Sequence, residues 1–297
     1  MKKAVMFAFF LIVVGIAGSV VTAATTDVFS LEKREIVQQE EVKGTEIQQI
    51  EVGTSSTNIK MVPSKGDSIE VKLTGKVSEK LKDKYKLVIT EEGDKVNIHV
   101  KNQDLYFYVG FSFIELNLEI EVPEKDYQSL VVESSSGDID ISQLKVEEFS
   151  AEASSGDITI DQMSVSTNNK MEASSGTINV KNSSAKAFDV GASSGDIILR
   201  NVDGHVEAET SSGSIEMNNK QVTGNINAVA SSGDVIIGFD ESPKSLSVDF
   251  RGSSGDGIIE LEGFSYEDKS ENSINGKIGS GEYELKVRTS SGDFQLK

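Results

Sequence analysis

The chain has 297 residues, with 29 Lys and Arg against 48 Asp and Glu, so its formal net charge is −19. This charge argues against a DNA- or RNA-binding protein, because such proteins use clustered Lys and Arg to displace counterions from nucleic acid. The absence of cysteine excludes disulfides, thiolate metal sites and a cysteine nucleophile. Only two histidines are present, so the side chain most often used for acid–base catalysis and metal binding is scarce. We predict no cofactor.

The N-terminus has the pattern of a membrane-targeting segment. Lys2 and Lys3 precede an apolar run over residues 4–21. The two cations predict that this end stays in the cytoplasm and that the rest of the chain lies outside the membrane. The length of the run is typical of an uncleaved signal anchor, whereas the small residues at 21–23 also suit cleavage of a signal peptide. Residues 1–24 are therefore a signal anchor or a signal peptide, and the remainder is tethered outside the cell or secreted.

A Ser-Ser-Gly repeat dominates the rest of the chain. Its glycines stand at Gly137, Gly156, Gly176, Gly195, Gly213, Gly233, Gly255 and Gly292, about 19 residues apart except for the last interval. That interval covers two periods, and we interpret residues 276–281 as a degenerate unit. On both sides of each glycine, apolar and polar residues alternate with the period of a strand. We expect each glycine to supply a positive φ at a corner, and Ser and Asp to bond the turn's own backbone.

Two short strands and two turns per unit make a weak hairpin, because each unit would bury only one face. Stacked coils would share one continuous core. The sequence therefore predicts an all-β fold, a parallel β-solenoid whose neighbouring strands lie ~4.8 Å apart. Since parallel crossovers are overwhelmingly right-handed, we expect a right-handed solenoid, preceded by one N-terminal transmembrane or signal helix.

The remaining regions are placed around this repeat. Residues 25–44 are polar and mixed in charge, and are interpreted as a stalk or a short helix. Residues 45–128 contain strand patterns at 69–73, 87–89, 96–100 and 116–122, which predict an N-terminal part of the solenoid with longer coils. Residues 129–297 form the Ser-Ser-Gly repeat solenoid. We expect one continuous body rather than separate domains.

A family resemblance follows from the repeat and from the segment Ile50-x-Val52-x-x-Ser55-Ser56-x-Asn58-Ile59 that opens it. Together they resemble a family of bacterial envelope proteins called "putative adhesins", whose function is unknown. With its N-terminal membrane segment, the chain is similar to the LiaG-type members associated with cell-envelope stress. The resemblance covers roughly residues 45–297. It implies a β-solenoid at the cell envelope and supplies no catalytic residues.

The residue after each repeat glycine forms the most visible polar pattern. In a solenoid these residues would align on one edge, and two of them, Thr177 and Ser214, separate the carboxylates. One hypothesis is a ladder of oxygen ligands for divalent cations; the other, which we favour, is that these side chains close turns by bonding local amides. The candidate cation ligands are Asp138, Asp157, Asp196, Asp234, Asp256 and Asp293.

Two features depart from the repeat. An aromatic cluster is predicted either to cap the open end of the core or to contact a membrane or partner; it comprises Tyr106, Phe107, Tyr108, Phe111 and Phe113. Five lysines are interpreted as a short helix that is either solvated or bound to anionic headgroups; they are Lys76, Lys80, Lys82, Lys84 and Lys86.

These patterns predict a non-enzymatic protein. Glycoside cleavage needs two carboxylates facing each other in a cleft, and the sequence shows no sign of a cleft. The serines lack a His and Asp partner set. We interpret the chain as a membrane-anchored extracellular adhesin-like protein, a scaffold or binding protein of the stressed cell envelope. Its partners would be the membrane and either cell-wall polymer or an envelope protein. Alternatives are a glycan- or cell-wall-binding module and, less favoured, a carbohydrate-active β-helix enzyme.

Overall fold

The computed structural model describes residues 33–102 and 113–297. The predicted N-terminal helix in residues 1–24 lies outside these ranges, and within them no helix has the length and apolar character needed to cross a membrane. Apart from one 3-10 turn at Glu79–Leu81, the regular structure of the described residues is β. The strands are β1 (Lys33–Lys43), β2 (Gln49–Thr54), β3 (Thr57–Ser64), β4 (Ser68–Ser78), β5 (Tyr85–Glu92), β6 (Lys95–Asn102), β7 (Ile114–Pro123), β8 (Asp126–Ser134), β9 (Ile139–Ser142), β10 (Lys145–Ala153), β11 (Ile158–Asp161), β12 (Ser164–Ala173), β13 (Ile178–Lys181), β14 (Ser184–Ala192), β15 (Ile197–Arg200), β16 (Asp203–Thr210), β17 (Ile215–Asn219), β18 (Ile226–Ala230), β19 (Val235–Phe239), β20 (Leu246–Gly252), β21 (Gly257–Ile259), β22 (Ser265–Lys269), β23 (Ser273–Ile278), β24 (Tyr283–Thr289) and β25 (Phe294–Leu296).

The strands form two large sheets that face each other across the core. Each repeat coil gives a longer strand to a 13-stranded sheet, ordered β22-β23-β20-β24-β18-β16-β14-β12-β10-β8-β2-β6-β5. It gives a shorter strand to a 12-stranded sheet, ordered β1-β4-β7-β3-β9-β11-β13-β15-β17-β19-β25-β21. We call these the long-strand sheet and the short-strand sheet. Neighbouring repeat coils pair in parallel in both, as β10 with β12 and β11 with β13. The predicted all-β parallel solenoid is confirmed.

The core follows from the alternation of apolar residues along every strand. In β11, Ile158 and Ile160 point inward, and the same positions of successive coils lie in register, so that Ile139, Ile158 and Ile178 stack on one another. The long-strand sheet contributes larger side chains, including the fully buried Phe149 and Phe188. Because burial of apolar surface is the main favourable term in folding, this shared interior stabilises coils that could not fold singly.

The repeat glycines have a different role from the predicted one. Their backbones are not in the positive-φ region. Instead, each lies so close to the backbone of a neighbouring coil that a Cβ atom would overlap a carbonyl oxygen, that of Gly176 at Gly195 and that of Thr57 at Gly137. Glycine is needed here because two backbones approach closely. Among the described residues other than glycine, positive φ angles occur at another corner of the coil, at Gln143, Gln162, Asn182 and Asn201.

The N-terminal end of the stack adds antiparallel strands to parallel coils, since β2 pairs with β6 and β3 with β7 in parallel. Lys33–Lys43, predicted as part of a polar stalk, is the edge strand β1 and pairs antiparallel with β4 along its whole length. β4 then pairs antiparallel with β7, and β5 with β6. The side chain of Gln38 joins the two sheets at this end, since its Nε2 donates to the carbonyl of Tyr85 (2.8 Å) and its Oε1 accepts from the amide of Leu87 (2.9 Å).

The five lysines interpreted as a helix do not form one. Lys76 lies on β4 and Lys86 on β5, and only Lys80 belongs to the 3-10 turn between these strands. Leu81, in the same turn, is buried. The alternate spacing of the last four lysines fits a turn leading into a strand better than a helical face, because side chains of a strand repeat every second residue.

At the C-terminal end, the order of coils in space differs from their order in the chain. β24 lies between β18 and β20, and β25 lies between β19 and β21. The corner at Gly292 is accordingly packed between those at Gly233 and Gly255. The segment interpreted as a degenerate coil at 276–281 instead contains the end of β23, which pairs antiparallel with β20 and β22. This antiparallel segment covers the edge of the long-strand sheet.

An ion pair fastens β24 to β20. The Nη2 atom of Arg288 donates to Oδ2 of Asp249 (2.6 Å), and Nη1 donates to the Asp249 carbonyl (2.8 Å). Burial acts to raise the pKa of Asp249, but the hydrogen bond and charge of Arg288, with help from Arg251, outweigh it and lower the pKa below its usual value. This carboxylate therefore stabilises the folded state once it is ionised.

We expect Asp249→Asn to lower the free energy of unfolding at pH 7 by about 1–2 kcal/mol. Because the folded pKa lies below the unfolded value of about 3.9, the stabilisation is complete above that value and is lost as the pH falls through the folded pKa. Urea unfolding at pH 7 and at about pH 3 tests this, and the two proteins should converge in acid. Asp268→Asn, at an exposed position of β22, is the control. An equal difference at both pH values would contradict this role of the Asp249 charge.

Candidate functional site

The Ser-Ser-Gly corners give the molecule one regular outward surface, which we call the corner face. It joins the end of each long strand to the start of the next short strand. Three kinds of exposed side chain lie on it in columns parallel to the stack: glutamates at the end of the long strands, paired serines at the turn, and the residues after each glycine. The first serines of the pairs are Ser135, Ser154, Ser174, Ser193, Ser211, Ser231, Ser253 and Ser290.

The serine columns are held by backbone hydrogen bonds between coils. The amides of Ser154 and Ser155 donate to the carbonyls of Ser134 (3.1 Å) and Ser135 (2.9 Å), and this pattern continues through the following coils. These amides are satisfied within the stack, while the serine side chains are exposed. The corner face therefore presents hydroxyl groups at the spacing of one coil, about 4.8 Å.

The predicted aspartate column exists, and it forms a hydrogen-bonded ladder. The Oδ1 atom of Asp138 accepts from the amide of Asp157 (3.0 Å), and Oδ1 of Asp157 accepts from the amide of Thr177 (2.7 Å). In equivalent bonds, the backbone amides of Ser214, Asp293 and Asp256 donate to Oδ1 of Asp196, Asp234 and Asp293, respectively. Asn58, which was not predicted to belong to this column, begins the ladder, since its Oδ1 accepts from the amide of Asp138 (3.1 Å).

These bonds refine the turn-closing hypothesis. The aspartates bond the amide of the next coil rather than the backbone of their own turn, so that they connect coils. In the described ranges, no group of three or more His, Cys, Asp or Glu side chains is arranged to hold a metal ion. The cation ladder stays a prediction, with Oδ1 of several aspartates already engaged by a backbone donor.

The glutamate column was not predicted. Parallel pairing places Glu133, Glu152 and Glu172 side by side, followed by Gly191 and then Glu209. Like charges at this spacing repel by about 1 kcal/mol in water, and Lys170 relieves part of this through an ion pair with Glu172 (Nζ–Oε1, 3.0 Å). That hydrogen bond raises the pKa of Lys170. The signal in the sequence is Glu-x-Ser-Ser, which occurs in four units, beginning at Glu133, Glu152, Glu172 and Glu209.

A cleft of about 660 Å³ opens where the glutamate column meets β2 and β6. Gly53 makes room for the imidazole of His99, since a Cβ atom at this position would lie 2.7 Å from Nδ1. The polar residues that line the cleft include acidic, basic and neutral side chains. They are His99, Lys101, Asn102, Glu133, Glu152 and the serines at 135 and 154. A second hollow of about 320 Å³ continues past Glu152 to Glu172, Gly191 and Glu209. The two hollows share Glu152 and follow one another along the corner face, and we call them together the groove.

The predicted aromatic contact residues lie mostly outside the described residues, which exclude Tyr106, Phe107, Tyr108 and Phe111. Phe113 is described and is fixed at the N-terminal end of the stack. Its amide donates to Oγ of Ser78 (2.9 Å), and Nζ of Lys33 lies 3.4 Å from its ring centroid. The structure thus places Phe113 beside the lysine-containing turn.

One family model and several solved structures match this chain. Residues 47–297 match the family model described as Toastrack DUF4097. No curated protein matches the chain. Among solved structures, a "putative lipid binding protein" from Parabacteroides distasonis shares 17% identity with a TM-score of 0.48, covering 88% of this chain and 96% of that chain. "Putative adhesins" from Parabacteroides distasonis (11% identity, TM-score 0.45) and Bacteroides fragilis (12%, 0.42) each cover 88% of this chain and 97% of theirs.

Proposed function

The chain belongs to the Toastrack DUF4097 family, and from this premise we propose that it is a membrane-anchored, extracellular, adhesin-like β-solenoid without enzymatic activity. It serves as a scaffold or binding protein of the cell envelope under stress. The apolar run at residues 4–21, behind Lys2 and Lys3, supports the anchor and the outward orientation.

The corner face is the observation that carries this proposal. Its amides are engaged between coils, and its outward chemistry is a repeated array of hydroxyls and carboxylates. Such an array can make the same contact with a bound partner at every coil along the stack. It suits an extended, repetitive partner better than a compact molecule, because each further unit of a polymer gains the same contacts at little extra cost in ordering. The groove through Glu152 gives that partner a path along the stack.

Binding to purified envelope polymer tests this function. The full-length chain in lipid nanodiscs is compared with a variant carrying Glu133→Ala, Glu152→Ala and Glu172→Ala. We expect the variant to bind at least about tenfold more weakly, since about 1.4 kcal/mol spread over three contacts suffices. The matched control carries Glu260→Ala, Glu262→Ala and Glu271→Ala, all exposed and near the C-terminal end. Equal affinity of the two triple variants would refute the corner face as the binding surface.

A glycan-binding module is the second candidate, and the cleft beside His99 favours it. Its volume and its mixed polar lining suit a short carbohydrate, whose hydroxyls both donate and accept hydrogen bonds. Neutral wall oligosaccharides should then raise the melting temperature of the full chain, and Gly53→Phe, which fills the cleft from its floor, should abolish the rise. A rise that survives this substitution would place the glycan elsewhere.

A further inference from the structure

One end of this acidic molecule is basic. It is formed by the start of β1, the end of β4, the 3-10 turn, the start of β5, the end of β6 and the start of β7, which meet through strand pairing. We call it the basic end. It carries eight cationic residues, namely Lys33, Arg34, Lys76, Lys80, Lys82, Lys84, Lys86 and Lys101, against the acidic Glu35, Glu79, Asp83 and Glu115. The whole chain, in contrast, has a net charge of −19.

The ion pairs at the basic end are exposed to solvent, so that their cations can also contact an anionic surface. Lys82 pairs with Glu79 (3.3 Å) and Lys76 approaches Glu35 at 4.0 Å, and Arg34 also bonds Glu79. About half of the side-chain surface of each of these three cations is exposed. Exposed pairs contribute little to stability, so an anionic surface can compete for these cations at small cost to the fold.

The basic end is also where the chain arrives from its N-terminal segment. Lys33 pairs with Ser78 in the β1–β4 register, and the amide of Ser78 donates to the carbonyl of Phe113 (3.0 Å). The apolar run ends at Val21, so about 11 residues separate it from Lys33. Fully extended at about 3.5 Å each, they reach at most ~40 Å. This step rests on the membrane anchor of the proposed function.

We propose that the basic end is a docking surface for the headgroups of anionic phospholipids. Cations on a protein surface are attracted to such a leaflet within a Debye length. The rod then stands with β1 and β5 toward the bilayer and with the cap formed by β21, β22 and β23 away from it. The opposite orientation would bring exposed acidic side chains of the C-terminal end, among them Glu260, Glu262 and Glu267, against the same anionic surface.

Site-specific fluorescence tests this orientation, because the chain contains no cysteine of its own. Donor dyes are attached to full-length chains carrying Asp83→Cys or Ser265→Cys. These positions lie near β5 and on β22, at opposite edges of the 13-stranded sheet, about 58 Å apart for 12 strand intervals. Each protein is placed in nanodiscs of phosphatidylcholine with or without phosphatidylglycerol, with an acceptor dye on the headgroups.

We expect phosphatidylglycerol to raise energy transfer from position 83 at least about twofold, and about 0.5 M NaCl to remove the rise. Position 265 should not respond. The combined Lys76→Gln, Lys82→Gln and Lys86→Gln substitutions should abolish the rise, while Lys145→Gln, Lys186→Gln and Lys244→Gln, also exposed, should preserve it. Inorganic phosphate at matched ionic strength should not displace the protein from the bilayer surface.

Equal energy transfer from position 83 in both bilayers would overturn the docking surface, as would equal losses from the two lysine triples. The envelope-polymer experiment tests the proposed function independently of the docking surface. The Lys76, Lys82 and Lys86 variant should bind envelope polymer as the parent does, whereas the glutamate variants should keep the lipid response. If the chain does not insert into nanodiscs, the anchor is wrong; flotation of the same variants with phosphatidylglycerol vesicles then decides the docking surface alone.

Discussion

Gly195→Ala is expected to destabilise the fold by more than about 4 kcal/mol, or to prevent folding. An added Cβ atom would overlap the carbonyl oxygen of Gly176, which belongs to the neighbouring coil. Neither backbone can withdraw easily, because hydrogen bonds join the coils on both sides of the glycine, as from Ser194 to Ser174 and from Ile197 to Ser214. Thermal and urea unfolding of the purified variant would measure the loss.

Gly191→Ala is the matched control for this prediction. Gly191 lies four residues away on β14, and an added Cβ atom would meet only Cγ of Glu172, at an ordinary distance of 3.9 Å. Since its backbone does not require glycine, alanine should change the stability by no more than about 1 kcal/mol and in the favourable direction. If the two variants unfold at similar urea concentrations, close approach of the coils is not the reason for the repeat glycine.

Phe188→Ala is expected to cost about 3–5 kcal/mol of unfolding free energy. Phe188 is completely buried on β14, in register with Val206 of the next coil. On the other side, β12 contributes the buried Asn169, whose side-chain oxygen has no hydrogen-bond partner in the described residues. An amide cannot move into an apolar cavity without further cost, so the space left by the ring should stay open.

Urea unfolding of the Phe188 variant should show a lower midpoint with an unchanged slope, because the folded and unfolded surfaces differ little from those of the parent. Lys186→Ala, at an exposed position of the same strand, should change the stability by less than about 0.5 kcal/mol. A loss below about 1.5 kcal/mol at Phe188 would mean that the coils repack around the missing ring.

The repeat made the centre of the fold predictable. Alternation around each Ser-Ser-Gly defines two strands per unit, and stacking follows because a single unit cannot bury its apolar face. The role of the glycine could not be read in the same way. A glycine that needs positive φ and a glycine that permits close approach look identical in one sequence, and only the position of Gly176 beside Gly195 distinguishes them.

The two ends were less predictable because they depend on pairing between distant segments. Within β1, only Ile36 and Val42 are buried among charged residues, so local pattern indicates a stalk until β4 is placed beside it. The last interval of the repeat has the length of two coils, but its content is a coil and an antiparallel pair of strands. Nothing local in residues 273–278 shows that they reverse direction against β20.

The candidate site was half predictable. The residues after each glycine are visible as a column because they occupy a fixed place in every unit. The groove needs the register between strands, since Glu133, Glu152 and His99 come from three separate strands, and Gly53 matters only because His99 lies beside it. The amide ladder from Asp138 to Asp157 also depends on the offset between coils, which a single unit does not contain.

The interior position of β24 and β25 sets the order in which the stack can be completed. In the chain, β20 and β21 precede the residues that separate them from β18 and β19. Until residues 283–297 are in place, β20 has only β23 beside it, and β19 lacks bonds such as that from the amide of Lys297 to the carbonyl of Ile237 (3.0 Å). A partly synthesised chain therefore leaves strand edges open to solvent, and the last two strands of the polypeptide close them.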